Sequence, residues 1–139
     1  MTSFPLKIVT PDGLLFDGQA EQLTVRTATG DMGVLAGHAN CVAPLGMGRA
    51  AVVSEGKRRY AACIGGILSV LNGEVRLVPT TFEWAEDIDA ARAESAVDRA
   101  RAILADKAAS DADRQAAKAR LMRAQVRKAV ADQLASHTI

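Results

Sequence analysis

The residues of this chain best suited to chemistry are arginines set among acids in its second half. Glu83, Glu86, Asp87 and Asp89 gather just ahead of Arg92 and Arg99, and a second basic row, Arg120, Arg123 and Arg127, follows at i, i+3 and i+7. At helical spacing Ile88, Arg92 and Arg99 fall on one side, and Asp89 stands three residues before Arg92, near enough to pair with it. If the two rows lie on helices that fold back on each other, they converge. Several guanidiniums aimed at one place suit a polyphosphate, because each offers a planar fork of donors to anionic oxygens. Spacing alone favours a plainer reading, in which arginines opposite acids form a solvated face or interhelical ion pairs.

Other chemistries find less support. His38 has no Ser or Cys partner at recognisable spacing, so no catalytic triad assembles. The acids cluster among arginines in the helical region instead of forming an acid/base pair. Gly30, Gly33, Gly37, Gly46 and Gly48 follow no phosphate-loop pattern, since G-K-[ST] is absent and no long helix follows. They read instead as corners and exposed loops of a sandwich, which puts Asp31 and His38 at a loop-bearing end. Cys41 and Cys63 form no C-x-x-C pair and read as buried free thiols in a reducing compartment. With His38 and His137 they offer too few ligands for zinc. A net charge of +1 makes no overall case for nucleic acid. No apolar run approaches the ~20 residues of a membrane span, and the first residues lack a signal-peptide pattern, so the expected compartment is the cytosol.

Two kinds of element must position the arginines. From Phe4 to about Phe82 the chain reads as short strands punctuated by turns, the pattern of a sandwich or barrel. Pro11-Asp12-Gly13 is a turn, and Leu23, Val25 and Thr27 alternate with Gln22, Thr24 and Arg26 as in a half-buried strand. Asn72-Gly73, flanked by ILSVL and EVRLV, predicts a hairpin with a type I′ turn. Tyr60, Ala62 and Ile64 share a face against Arg59 and Ala61, and Gly65-Gly66 predicts a bulge or sharp bend.

After Trp84 the period changes. Glu86 and Asp87 mark a helix start, and Ala93, Val97, Ala100 and Leu104 make one narrow apolar stripe. The run DKAASDAD breaks it, with Ser110 or Asp111 as the next cap, and Ala119, Met122, Val126 and Val130 form a second stripe. Two helices across a short polar link predict an antiparallel hairpin. Its stripes are mostly alanine, and at about 0.8 kcal/mol per buried methylene the packing is weak. A mobile appendage to a small domain is expected.

The opening FPLKIVTPDGLLFDGQAEQLTVRTATGDMGVLAGHANCVAPL, the later GGILSVLNGEVRLV and the helical pair together resemble the epsilon subunit of bacterial F-type ATP synthases, over essentially the whole chain. The most specific elements are TPDG, GDMGVLAGHA and Gly65-Gly66 before NGEV. The resemblance implies a β-plus-α architecture, with an N-terminal sandwich of about ten strands over residues 1–85 and a C-terminal antiparallel two-helix hairpin over 86–139. It implies a rotor subunit of the central stalk whose sandwich joins the gamma subunit to the ring of c subunits, coupling proton or sodium flow to rotation. Catalysis then belongs to the beta subunits, so the chain is no enzyme and requires no cofactor. The helices would lie folded against the sandwich or extend to the alpha and beta subunits and hinder ATP hydrolysis. The place implied is peripheral, at the cytoplasmic face of the inner membrane, within the complex.

Ile88-Asp89-Ala90-Ala91-Arg92-Ala93 matches the motif I/L-D-x-x-R-A with which many bacterial members bind regulatory ATP. The resemblance gives the adenine to the aspartate and its neighbours and the phosphates to arginines, with Glu83, Arg99, Arg123 and Arg127 as further contacts. It also assigns Asp31 and His38 to positions facing the c ring or gamma. Two rival readings are a free-standing ATP-binding sensor module and, with least behind it, an enzyme using Asp31 and His38.

Overall fold

Phe4, Leu6 and Ile8 are buried while Pro5, Lys7 and Val9 face outward, so the first strand, β1 (Phe4–Thr10), has one dry and one wet face at period two. The same alternation marks β3 (Gln22–Thr27), β8 (Ile67–Leu71) and β9 (Glu74–Val78), β6 (Met47–Ser54) and β7 (Lys57–Ile64) bury consecutive residues, and β2 (Gly13–Ala20), β4 (Gly30–Val34), β5 (Cys41–Pro44) and β10 (Thr81–Trp84) complete the set. The strands form two five-stranded sheets, ordered β2-β1-β9-β8-β5 and β10-β7-β6-β3-β4. Among the described residues only β1 and β9 pair in parallel, since every other register is antiparallel. Leu6, Ile8, Leu23, Val25, Leu68 and Leu77 fill the space between the sheets, each such side chain stabilising by roughly 2 kcal/mol through burial. The computed structural model describes residues 2–137, and the chain parts into two units between Trp84 and Ala85. Ten strands in two sheets followed by two helices is the architecture the resemblance implied.

Turns are fixed by named contacts. Asn72 and Gly73 both take positive φ, 51° and 83°, as a type I′ turn between β8 and β9 requires. Asn40 holds that turn by accepting the Asn72 N–H at 2.8 Å. At the β6–β7 turn the Glu21 carboxylate accepts the N–H groups of Glu55 and Gly56, each at 3.0 Å. Gly65 and Gly66 bend the chain between β7 and β8 at φ 68° and 93°.

One expectation is corrected in the sandwich. The stretch 29–48 is strand as much as loop, containing β4, β5 and the start of β6. Two of its glycines serve close approach: a Cβ at Gly46 would lie 3.0 Å from the Thr27 carbonyl oxygen, and one at Gly48 2.6 Å from Arg26 Cβ. On β7 Tyr60, Ala62 and Ile64 share one face, with Ala62 and Ile64 buried, while Ala61 and Cys63, paired with Trp84 and Phe82 of β10, join the central core from the other face. Arg59 closes this face with its guanidinium 3.7 Å above the Trp84 ring.

Burial pushes the Cys63 thiol up from 9.0 to about 12. Because the folded value lies above the unfolded one, the stabilisation is complete below pH 9.0 and is lost as pH climbs toward about 12. Urea midpoints compared at about pH 8 and about pH 10.5 should therefore fall further for the wild type than for Cys63→Ala, by on the order of 1–2 kcal/mol. Equal losses would place the thiolate in water.

The second unit begins with a 3₁₀ turn, Ala85–Asp87, followed by α1 (Ala90–Ala105) and α2 (Asp111–His137). The acids at 86 and 87 thus sit in the 3₁₀ turn, and the α-helix proper starts from Asp89 as its N-cap. Ser110 caps α2, its hydroxyl accepting the Asp113 N–H at 3.1 Å. The helices run antiparallel. Arg114 Nη2 donates to the Asp106 carbonyl at 2.8 Å near the turn, and Lys128 meets Glu94 at 3.7 Å further along.

The α1 stripe of Ala93, Val97 and Ala100 is buried as expected, with Leu104 half-buried. The α2 stripe differs. Val130 is buried, but Met122 is 48% exposed, and Ala117, Ala124 and Ala131 supply the buried row. Spacing by seven residues keeps those alanines on one face, and the larger Met122 and Val126 drew the sequence reading to the wrong side. Ser136 and His137 continue α2, while Thr138 and Ile139 lie outside the described residues.

Candidate functional site

The first turn of α1 gives each motif residue a local duty. Asp89 holds φ −82° and ψ 102°, outside the helix, and its carboxylate accepts the Arg92 backbone N–H at 3.1 Å. It is therefore a cap on Arg92, not a partner of its guanidinium. Ile88 precedes the cap and bonds through its N–H to the Ala85 carbonyl at 3.2 Å, so it does not share the helical wheel of Arg92 and Arg99. Ala93 is fully buried in the seam. An apolar residue just before the cap and another at the fourth helical position is the arrangement of a hydrophobic staple. Capping and seam packing thus account for Ile88, Asp89 and Ala93, and the exposed Arg92 guanidinium is left with no structural duty.

An open depression lies on α1, lined by Asp89, Ala91, Arg92, Ser95, Asp98 and Arg99. Ser95 is on the side of α1 opposite Ala93, Val97 and Ala100. Among the described residues the Arg92 and Arg99 guanidiniums, the Ser95 hydroxyl and the Asp98 carboxylate make no intramolecular hydrogen bond or ion pair. Unengaged guanidiniums in water keep their donors available for an anionic ligand.

The other expected residues are spread more widely. Arg123 is exposed and Arg127 half-buried on α2, and neither lines this depression. Glu83 is half-buried on β10. Asp31 is a strand residue of β4, its carboxylate 3.4 Å from Arg26 Nη1 across the β3–β4 pair. His38 follows the far end of β4, with Nδ1 2.8 Å from the Ala39 carbonyl. Asp31 and His38 therefore stand toward opposite ends of that strand, where one loop-bearing end was expected. Ser95 and Asp98 were missed by the sequence reading, although their spacing of three from Arg92 and from each other signals a shared stretch of helix surface.

The sandwich carries a second candidate surface, on the outer side of the sheet that contains β1. Pro44, Ile67 and Val78 are register partners across β5, β8 and β9, and Val9 pairs with Leu14 across β1 and β2. The parallel pairing of Ile8 with Leu77 brings Val9 alongside Val78, so one apolar row crosses all five strands. Val42, 70% exposed, and Leu71 extend it on the same side.

A family model described as the ATP synthase delta/epsilon chain β-sandwich domain matches residues 3–85. The chain belongs to the ATP synthase epsilon family. It is 37% identical over 111 residues to the ATP synthase epsilon chain of Caldicellulosiruptor saccharolyticus, covering 80% of this chain and 81% of that one. The epsilon chain of Shouchella clausii is 36% identical over 131 residues, covering 94% and 96%, so this relationship extends over both helices. Among solved structures, a chain of the Euglena gracilis mitochondrial ATP synthase OSCP/F1/c-ring assembly superposes with TM-score 0.82 at 28% identity, covering 93% of this chain and 81% of that one. A chain of the Tetrahymena thermophila mitochondrial ATP synthase central stalk and c ring shares the fold, with TM-score 0.60 at 14% identity and coverage of 91% and 95%. For an epsilon-family chain the apolar row lies within the matched sandwich, whereas the depression on α1 lies beyond it.

Proposed function

We propose that this chain is a non-catalytic rotor subunit in the central stalk of an F-type ATP synthase, seated through its sandwich against a gamma subunit and a ring of c subunits. The single observation that carries the seat is the apolar row from Pro44 to Leu14. Contiguous apolar surface on an otherwise well-packed domain marks an interaction face, and this row is continuous across a rigid sheet. Through these partners the chain is held peripherally at the cytoplasmic face of the inner membrane. Among the described residues no helix is long and apolar enough to cross a membrane itself. Copurification of the tagged chain from membranes with gamma and the c ring tests the seat. A chain recovered alone would favour the free-standing sensor.

The helical unit is the regulatory part of this reading. Arg114, Lys118, Arg120, Arg123, Arg127 and Lys128 follow one another along α2 without an intervening acid, which suits an acidic surface on the alpha and beta subunits. The seam is built chiefly of alanine, so a few kcal/mol from a ligand or partner suffices to shift a closed hairpin to an extended one that hinders hydrolysis. ATP is the ligand proposed for the closed form, with Arg92 and Arg99 on its phosphates and Asp89 holding the helix start. Glu83, Ile88, Ala93, Arg123 and Arg127 complete the contacts that the family motif implies. The site senses ATP and does not hydrolyse it. Calorimetry on the isolated chain should show ATP binding that weakens at least about tenfold in Arg92→Ala and in Arg99→Ala, the range for losing one charge-assisted contact. Unchanged heats would remove both arginines from the site.

A further inference from the structure

The Asn72-Gly73 pair that shapes the β8–β9 hairpin is also a reactive pair. The chain's asparagines are Asn40 and Asn72, and they meet. Asn40 Oδ1 accepts the Asn72 N–H at 2.8 Å, and Asn40 Nδ2 donates to Asn72 Oδ1 at 3.5 Å. Asn72 and Gly73 are exposed, so water reaches the side-chain amide. The hairpin register closes with Leu71 opposite Glu74, which leaves the Gly73 N–H outside the ladder and without a hydrogen bond among the described residues.

The main-chain nitrogen after an asparagine can attack the side-chain carbonyl, and a glycine, lacking Cβ, obstructs that approach least. A bond from Gly73 N to Asn72 Cγ, with loss of the N–H proton, expels the amide nitrogen as ammonia and closes a succinimide. Water then opens the ring. Attack at Cγ leaves aspartate, whereas attack at the main-chain carbonyl leaves isoaspartate, whose main chain runs through the former side chain and is one carbon longer. Either product puts a carboxylate at the tip of the hairpin whose arms carry Ile67 and Val78. Ring closure requires rotation about the Asn72 Cα–C bond, which a type I′ turn fixes, so the turn must open before it reacts. We propose that Asn72 is a site of spontaneous deamidation, and that the bond from its N–H to the Asn40 side chain holds the reaction in check by keeping the turn closed.

Peptide mapping by mass spectrometry of the full chain, incubated in mildly alkaline buffer, reads the fraction of Asn72 converted to acid. The folded wild type should convert more slowly than the same chain unfolded in guanidinium. Asn40→Ala should convert about fivefold faster than the wild type, the gain in open turn expected when one ordinary hydrogen bond is lost. Asn40→Asp keeps an acceptor for the Asn72 N–H and should stay near the wild-type rate. Emission from the buried Trp84 verifies that both variants are folded. Conversion of Asn40→Ala at the wild-type rate overturns the proposal, as does a folded wild type that converts as fast as the unfolded chain. An unfolded chain that leaves Asn72 intact removes the site altogether. Asn40→Asp converting as fast as Asn40→Ala would refute the bond to the Asn72 N–H as the restraint.

Discussion

Gly66→Ala should lower the stability of the sandwich by about 3 kcal/mol or more, the sum of a strained backbone and an overpacked contact. At φ 93° an alanine is strained whatever the space around it. Here there is also no space, because the added Cβ would run into the Val78 carbonyl and come 2.6 Å from Pro79 Cα. Both obstacles are backbone, and neither can swing away as a side chain would. Gly56→Ala is the control, since φ is 74° and nothing lies within 4 Å of its added Cβ, so only the conformational cost of about 1 kcal/mol applies. Trp84, the single tryptophan, is buried in the sandwich and reports its unfolding by emission. Gly66→Ala should melt roughly 10 °C or more below the wild type, and Gly56→Ala by less than half of that. Similar shifts for the two variants would mean that the bend between β7 and β8 yields to a side chain.

What the sequence disclosed depended on whether side-chain size reported burial. In β3 Leu23 and Val25 alternate with polar residues, so the buried face was readable. Asn72-Gly73 was readable because few other residue pairs tolerate two positive φ values. On α2 the buried row is mostly alanine, at 117, 124 and 131, and size pointed elsewhere, to Met122. The apolar row was hidden for a related reason. Ile67 and Val78 have the composition of core residues, and only pairing across three strands shows them aligned on the outer face.

For the arginines, spacing identified Arg92 and Arg99 as neighbours but could not separate a capping carboxylate from an available one. That distinction needed the hydrogen bond from the Arg92 amide to Asp89. A helix-start signature and a ligand signature use the same residue types, because capping and anion binding both begin with unpaired N–H groups at a helix terminus.

Ile67→Asp, and separately Val78→Asp, should abolish copurification with gamma and the c ring while the isolated chain stays folded. Both side chains are on the outer face, 45% and 40% exposed, and they are register partners on β8 and β9. Exposure keeps the folding cost of aspartate near the ~1 kcal/mol span of strand preferences, which melting followed at Trp84 should confirm. In a docked complex the same carboxylate must leave water inside an apolar contact without a partner, a burial the charged form strongly resists. Truncations at the centre of protein interfaces commonly cost 2 kcal/mol or more, and an unpaired charge there costs at least as much, so affinity should fall about 30-fold or further. Met122→Asp is the matched control, since it adds the same charge to an exposed apolar position on α2, in the other unit. It should leave copurification intact. Wild-type recovery of gamma with Ile67→Asp and Val78→Asp would show that the row is not the seat, and the stalk contact would then have to be sought on another face of the sandwich.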